Sequence, residues 1–222
     1  KMTYAANDNS ADIHTKNKKK KNGSYFFDVA IKDRIIKGVE LNMGGMHNIE
    51  NVIAAIAAVS QLEMEDDKIK KSVASFAGVK RRFEYIIKTD AVTMIDDYAH
   101  HPEELRALIN SAKELFPGKK CTVVFQPHLY SRTNDLADGF AEVLSIADES
   151  ILLPIYPARE LPMQGVSSKL ILDKMTSDKK SIKEKNELLD WIKENKVELL
   201  ITSGAGDIDT LIEPMKQIIL NN

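Results

Sequence analysis

Apolar and polar positions follow two different rhythms along this chain. Over the first third, ADIHT, YFFDVAI and RIIKGVELNM carry the alternation and β-branched content of strands. Lys32-Asp33 between the last two predicts a hairpin, and the stretch Lys16 to Ser24, KNKKKKNGS, reads as a solvated basic loop. Gly44 and Gly45 end the strand rhythm. Ile49, Val52, Ile53, Ile56 and Val59 then recur at helical spacing. DDKIKKSVASFAGV predicts a second helix, its acidic residues in the first turn where the dipole favours them and Gly78 as its stop.

From Lys80 the texture changes. FEYIIK and AVTMIDD flank Thr89-Asp90 as a hairpin, and from there helices and strands alternate. Leu105, Leu108, Ile109, Ala112, Leu115 and Phe116 mark one helical face, ended by Pro117-Gly118. CTVVF is a short buried strand. NDLADGFAEVLSIA is a helix with Leu136, Phe140, Val143, Leu144 and Ala147 inward. SILLPIY is a strand and SSKLILDKM a short helix with serine at its cap. ELLDWIKENK is a helix, VELLITSG a strand, and DIDTLIEPMKQIIL a final helix that Pro214 should kink or split. Repeated strand-helix units imply an α/β fold, a mostly parallel sheet with helices on both faces. A domain boundary falls near residue 79.

Composition narrows the class without changing this picture. The 222 residues suit one large domain or two small ones. At 43% hydrophobic and 29% charged the chain is ordinary for a globular protein, and a net charge of −2 gives no pull toward nucleic acid or acidic membrane. The one cysteine, Cys121, excludes an internal disulfide, fits a reducing compartment and sits in an apolar strand as a core thiol. No apolar stretch approaches the ~18 residues of a membrane span and no signal peptide is visible, so a cytoplasmic location is expected. The opening KMTYAANDNSADIHT reads like the interior of a longer protein.

Four polar clusters fall at the carboxyl ends of expected strands: DDYAHHP, QPHLYSRT, YPARE and SGAGD. Ligands of open α/β sheets bind along that edge. In DDYAHHPEE, Pro102 suits the first helical position and Glu103 and Glu104 complement the helix dipole. Capping leaves Asp96, Asp97, His100 and His101 unexplained, and histidine titrates near neutral pH. In QPHLYSRT, Ser131 or Thr133 is expected to cap a helix, whereas His128 and Arg132 have no such role; arginine's fork suits carboxylate or phosphate. SGAGDID half-matches a phosphate loop, but Asp209 stands where a third glycine is needed, and a tight turn explains it better. In GGMHNIEN, Asn48 suits a cap, and Asn51 one turn on joins it as a pair of amides able to read a purine edge. Adjacent histidines are poorly spaced for metal on a helix and no HExxH occurs, so no metal ligands are assigned. A metal-dependent hydrolase using His100, His101 and His128, and a non-catalytic Rossmann-type nucleotide-binding module, stand as alternatives to an enzyme built on these loops.

GMHNIENVIAAIAAV, VKRRFE, DDYAHHPEE, FQPHLYSRT, PIYPARE and SGAGDI occur in this order in the Mur ligase family, and from about residue 3 to 220 the chain resembles it. FQPHLYSRT and DDYAHHP are most similar to the alanine-adding branch. The resemblance implies that residues 1–79 are the C-terminal part of a central, ATP-binding α/β domain and 80–222 the Rossmann-like C-terminal domain. The UDP-binding domain, the phosphate loop and the main magnesium ligands would lie outside these residues, leaving the chain inactive alone. The implied reaction is ATP-dependent ligation of L-alanine to UDP-N-acetylmuramate through an acyl phosphate, in peptidoglycan precursor synthesis, with ATP and Mg2+ as cofactors. Asn48 and Asn51 would line the adenine pocket, Arg82 reach the phosphates or ribose, and Asp97 bind the ribose hydroxyls. Tyr98, His100, His128 and Arg132 would face the muramoyl carboxylate and the incoming alanine, with His100 a candidate base. Leu129 departs from the basic residue that some relatives carry there.

Overall fold

The computed structural model describes residues 2–62 and 64–221. The chain divides into two compact units: one runs to Gly78 and includes Glu114–Phe116, and the other comprises Val79–Lys113 and the residues from Pro117 onward.

In the first unit, β1 (Tyr4–Ala5), β2 (Ile13–Lys21), β3 (Ser24–Ile31) and β4 (Arg34–Leu41) form a sheet in that order. β2, β3 and β4 are antiparallel, and β1 joins β2 in parallel. Helix α1 (Met46–Ser60) packs near β1 and β2, and α2 (Asp66–Ser75) on β4. Ile13, Phe27, Val29, Ile36, Val39 and Leu41 supply the sheet's buried side chains; Ile49, Ile53, Ile56 and Ile69 supply those of the helices. Helix α2 ends at Ser75, with Phe76 extended, before Gly78 is reached.

The lysine run corrects an expectation. Residues 16–21 are strand, paired with β3 from Lys16↔Asp28 to Lys21↔Ser24, and the turn is confined to Asn22-Gly23. The physical reason is the edge. β1 covers only Ile13 and His14, so the rest of β2 borders the sheet, where lysines keep the strand solvated and oppose pairing with another chain. Polarity there reported exposure, not backbone shape.

The second unit contains β5 (Glu84–Lys88), β6 (Thr93–Asp97), all but the last two residues of α3 (Pro102–Leu115), β7 (Cys121–Phe125), α4 (Tyr130–Asp135), α5 (Ala137–Leu144), β8 (Glu149–Leu152), α6 (Ser168–Lys174), β9 (Lys180–Ile182), α7 (Lys185–Glu194), β10 (Leu199–Ser203) and α8 (Ile212–Asn221). The sheet order is β5-β6-β10-β7-β8-β9. Only β5 is antiparallel to its neighbour. β7 and β10 are buried end to end, as central parallel strands covered on both faces must be. Met94, Val124, Ile151 and Leu200 pack with Leu188, Ile192, Ile208 and Met215 in one core. Because β10 inserts between β6 and β7, the carboxyl ends of β6, β10, β7 and β8 adjoin along one edge.

Two helical expectations shift. The helix expected from Asn134 begins at Tyr130 and breaks at Leu136, whose φ of −115° and ψ of 14° leave the helical region, giving α4 and α5. The final helix is split, as Pro214 foretold: a 3-10 turn, Asp207–Leu211, precedes α8. Pro214 is the third residue of α8, within the first turn, where a missing N–H leaves no helical bond unmade. β9 was not foreseen; three residues, KSI, carry no pattern of their own.

Candidate functional site

At the end of β6 the two aspartates do different work. Asp96 is buried; its Oδ1 accepts from the Thr202 hydroxyl at 2.7 Å and its Oδ2 from Arg81 Nε at 3.1 Å. Arg81 also donates to the Gly204 carbonyl at 2.5 Å and lies 5.1 Å from the Tyr98 ring centroid. It therefore fastens the β6 and β10 loops together. Burial lifts the Asp96 carboxyl above the ordinary range, against the pull of Thr202 and Arg81. Asp97 turns the other way, accepting the Phe83 and Ala99 N–H groups at 2.7 Å each. Burial raises its pKa too, opposed by those two N–H groups and then by Arg82. Each carboxylate oxygen keeps a second lone pair for another donor.

Arg82 is exposed, 5.9 Å from the Tyr98 ring. Tyr98 is 37% exposed and meets the His100 ring edge-on at 5.4 Å. His100 Nδ1 lies 2.9 Å from the Tyr98 carbonyl and 3.5 Å from Glu104 Oε2. Pro102 opens α3 as expected, with the His101 carbonyl accepting the Leu105 N–H at 3.0 Å. The exposed His101 thus serves the helix start through its backbone.

Beyond β7, His128 approaches His100 with ring centroids 6.4 Å apart. It stacks on Tyr156, from the loop after β8, at 5.8 Å and 16°. Arg132 Nη1 lies 3.3 Å from His128 Nδ1. Burial, then Arg132, then His100 hold the His128 pKa below the usual histidine value, with Glu160 opposing. The ring is thus a neutral imidazole near pH 7. Ser131 and Thr133 do not cap α4, as had been expected: Leu129 holds the cap position, and both hydroxyls lie inside the helix. The Thr133 hydroxyl bonds back to the Leu129 carbonyl at 2.8 Å, and the Ser131 hydroxyl donates to Glu160.

The SGAGD loop is a packing device. A Cβ on Gly206 would come 2.5 Å from Gln126 Oε1 and 2.6 Å from Tyr156 Cβ. Buried Gln126 accepts the Ile208 N–H at 2.9 Å and donates to Asp207 at 2.8 Å. The glycines let the β10 loop close over the β7 and β8 loops, which accounts for them without a phosphate. In the first unit, Asn48 is the third residue of α1 and Gly45, at φ 91°, is its cap. The Asn48 amide donates to the Gly44 carbonyl at 2.7 Å, which corrects its expected cap role, while Asn51 is exposed one turn on.

The structure therefore gathers Tyr98, His100, His128 and Arg132 at one edge, with Arg82 and Asp97 beside Tyr98. Among the described residues no three His, Cys, Asp or Glu side chains converge to hold a metal. The Arg132 guanidinium beside His128 opposes a cation there, against the hydrolase reading. Arg81, Gln126, Tyr156 and Glu160 were missed. Each had a signal as part of a quoted motif, Arg81 in VKRRFE, Gln126 in FQPHLYSRT, and Tyr156 and Glu160 in PIYPARE, but none was given a role of its own. Cys121 is a core thiol, its pKa pushed up to about 12 by burial.

Residues 81–206 match the family described as Mur ligase, glutamate ligase domain. The chain belongs to the Mur ligase family. It is 48% identical over 219 residues to a UDP-N-acetylmuramate–L-alanine ligase of Parabacteroides distasonis, covering 99% of this chain and 47% of that protein. Against the ligase of the same name in Flavobacterium johnsoniae it is 47% identical over 200 residues, or 90% of this chain and 44% of the relative. Among solved structures, the UDP-N-acetylmuramate–alanine ligase of Thermotoga maritima aligns with a TM-score of 0.76 at 25% identity, covering 99% of this chain and 47% of that one. The chain thus spans about half the length of the curated relatives it matches. No helix among the described residues is long and apolar enough to cross a membrane.

Proposed function

We propose that this chain is the carboxyl-terminal part of an ATP-dependent ligase that joins L-alanine to UDP-N-acetylmuramate in the cytoplasm, supplying a peptidoglycan precursor. Residues 1–79 are read as the tail of the central ATP-binding domain and 80–222 as the C-terminal domain. The observation that carries the reading is the convergence of His100, His128 and Arg132 on one sheet edge, within motifs shared in order with the alanine-adding branch.

The residues present fit the roles the family implies. Asn51 and the amide oxygen of Asn48 suit an adenine edge. Arg82, exposed, suits phosphate or ribose oxygens, and the open lone pairs of Asp97 suit ribose hydroxyls. Bound ATP with magnesium supplies the phosphoryl group that activates the substrate carboxylate; the phosphate loop and most magnesium ligands are assigned to residues outside this sequence. On the acceptor side, Arg132 offers a forked cation to the muramoyl carboxylate. His128, neutral at pH 7, can donate or accept a hydrogen bond without adding charge. An alanine amine must shed a proton to attack, and we assign its removal to His100, whose Nδ1 faces the Tyr98 carbonyl and leaves Nε2 to accept it.

In the complete gene product, phosphate release from ATP should require UDP-N-acetylmuramate and L-alanine together; equal turnover with glutamate would assign a different branch of the family. Asp97→Ala should raise the KM for ATP more than that for alanine. His128→Ala should chiefly lower kcat or weaken sugar or amino acid binding. The reverse pattern would mean the two sides of the site are exchanged.

A further inference from the structure

Helix α4 carries Arg132 but has no cap of its own. Leu129 holds the cap position at φ 71° and ψ 137° and has no side-chain oxygen for the first N–H groups. A residue from the next loop takes their place. Glu160 Oε2 accepts the Ser131 N–H at 3.0 Å, and Oε1 accepts the Ser131 hydroxyl. These two bonds, and more weakly the Tyr130 N–H, hold the Glu160 carboxyl below the usual carboxylate range. A carboxylate there also complements the positive end of the helix.

The same two loops are joined nearer the sheet. His128 and Tyr156 form a parallel bridge; the Leu129 N–H donates to the Tyr156 carbonyl at 2.9 Å and the Tyr156 N–H to the Pro127 carbonyl at 2.8 Å. These bonds and the ring stack fix His128 from its own backbone. Arg132, one residue past Ser131, meets His128 only by way of α4. The orientation of α4 therefore decides whether guanidinium and imidazole meet.

We infer that Glu160 is a positioning residue: it caps α4 in trans and thereby sets where Arg132 meets His128. Its bonds are to partly exposed groups that water can satisfy, so its removal should disturb the site far more than the fold. The kinetic consequence rests on the ligase reading; the geometric one does not.

Two measurements test it. In the complete gene product, Glu160→Ala should raise the KM for UDP-N-acetylmuramate roughly tenfold and leave that for ATP within about twofold. Glu160→Gln, whose amide oxygen still accepts the Ser131 N–H, should recover most of the loss. In the 222-residue chain, nitrogen-15 NMR of the His128 ring and Arg132 side chain should shift for Glu160→Ala and stay near wild type for Glu160→Gln. Ser131→Ala, which removes one bond only, should give a smaller shift and serves if Glu160→Ala does not fold. Unmoved resonances in both Glu160→Ala and Ser131→Ala, or Glu160→Gln as damaging as Glu160→Ala, would overturn the inference. If the wild-type gene product ligates nothing, the ligase reading fails while the resonances still decide the cap.

Discussion

The two ends of the six-stranded sheet make opposite use of charge. At the amino ends of its parallel strands lies a cavity of about 830 Å3, lined by Lys113, Lys119, Lys120, Asp148 and Glu198 among others. Several of its charged groups already have partners. Lys113 reaches Asp148 at 3.4 Å, Lys120 reaches Glu149, just outside the lining, at 2.5 Å, and Glu198 accepts the Lys120 backbone N–H at 2.8 Å. At the carboxyl ends two imidazoles and a guanidinium converge, and among the described residues no carboxylate lies within salt-bridge distance of Arg132. The cluster at the carboxyl ends keeps a cation without a carboxylate partner and a neutral ring, and that residual chemistry favours it as the candidate site.

If the carboxyl edge is held together by its buried ties, cutting the strongest should matter most. Asp96 is 1% exposed and faces Arg81. Arg81→Met leaves a buried carboxylate with Thr202 as its remaining partner, and should cost about 3–5 kcal/mol of stability by urea unfolding. Replacing Asp96 as well should return part of it. A loss under about 1 kcal/mol would mean the edge is held some other way.

Gly206→Ala comes next. The added methyl would collide with Gln126 and Tyr156 and push the β10 loop off its neighbours, at about 1–3 kcal/mol. Since Tyr156 also stacks on His128, the variant should shift the His128 NMR signals. A stable variant with unchanged signals would separate the loop packing from the site.

How much of this was legible beforehand depends on whether a residue's partners were local. The strand-helix alternation showed the α/β class because period 2 and period 3.6 are written in contiguous residues. Pro102 and Pro214 announced helix boundaries through their own backbones. His128 and Arg132 were found because nothing in their vicinity explained them. Arg81 and Arg82 illustrate the limit. They are adjacent and chemically identical, yet one is half-buried against Asp96 and Gly204 while the other is exposed. That division follows from Gly204, 123 positions away in the chain, and no local pattern contains it. The lysine strand failed for the same reason, since pairing with β3 decided its backbone. Glu160 stood in the quoted PIYPARE, but its role was hidden because its partner is Ser131 on another loop.

A smaller effect probes the site's electrostatics. His128 has its pKa lowered by burial first and Arg132 second. The folded chain therefore binds that proton less readily than the unfolded chain. The neutral ring's contribution to stability is complete above about pH 6.5 and is lost as pH falls through the depressed value. Arg132→Gln should move the His128 titration, followed by proton NMR, upward toward the ordinary value without reaching it, since burial remains. An unmoved midpoint would mean the guanidinium is screened from the ring.

The smallest expected effect is the one that guards the comparison. Lys120 is 40% exposed and its partner Glu149 17%. A surface pair of this kind contributes about 0–1 kcal/mol, because water already solvates the lysine and ordering its side chain offsets the attraction. Lys120→Ala should therefore leave stability nearly unchanged and leave phosphate release by the complete gene product within about twofold of wild type. Loss of turnover comparable to His128→Ala, without loss of stability, would show that charge at the amino ends is not spent on structure. The contrast between the two ends of the sheet would then no longer identify the site.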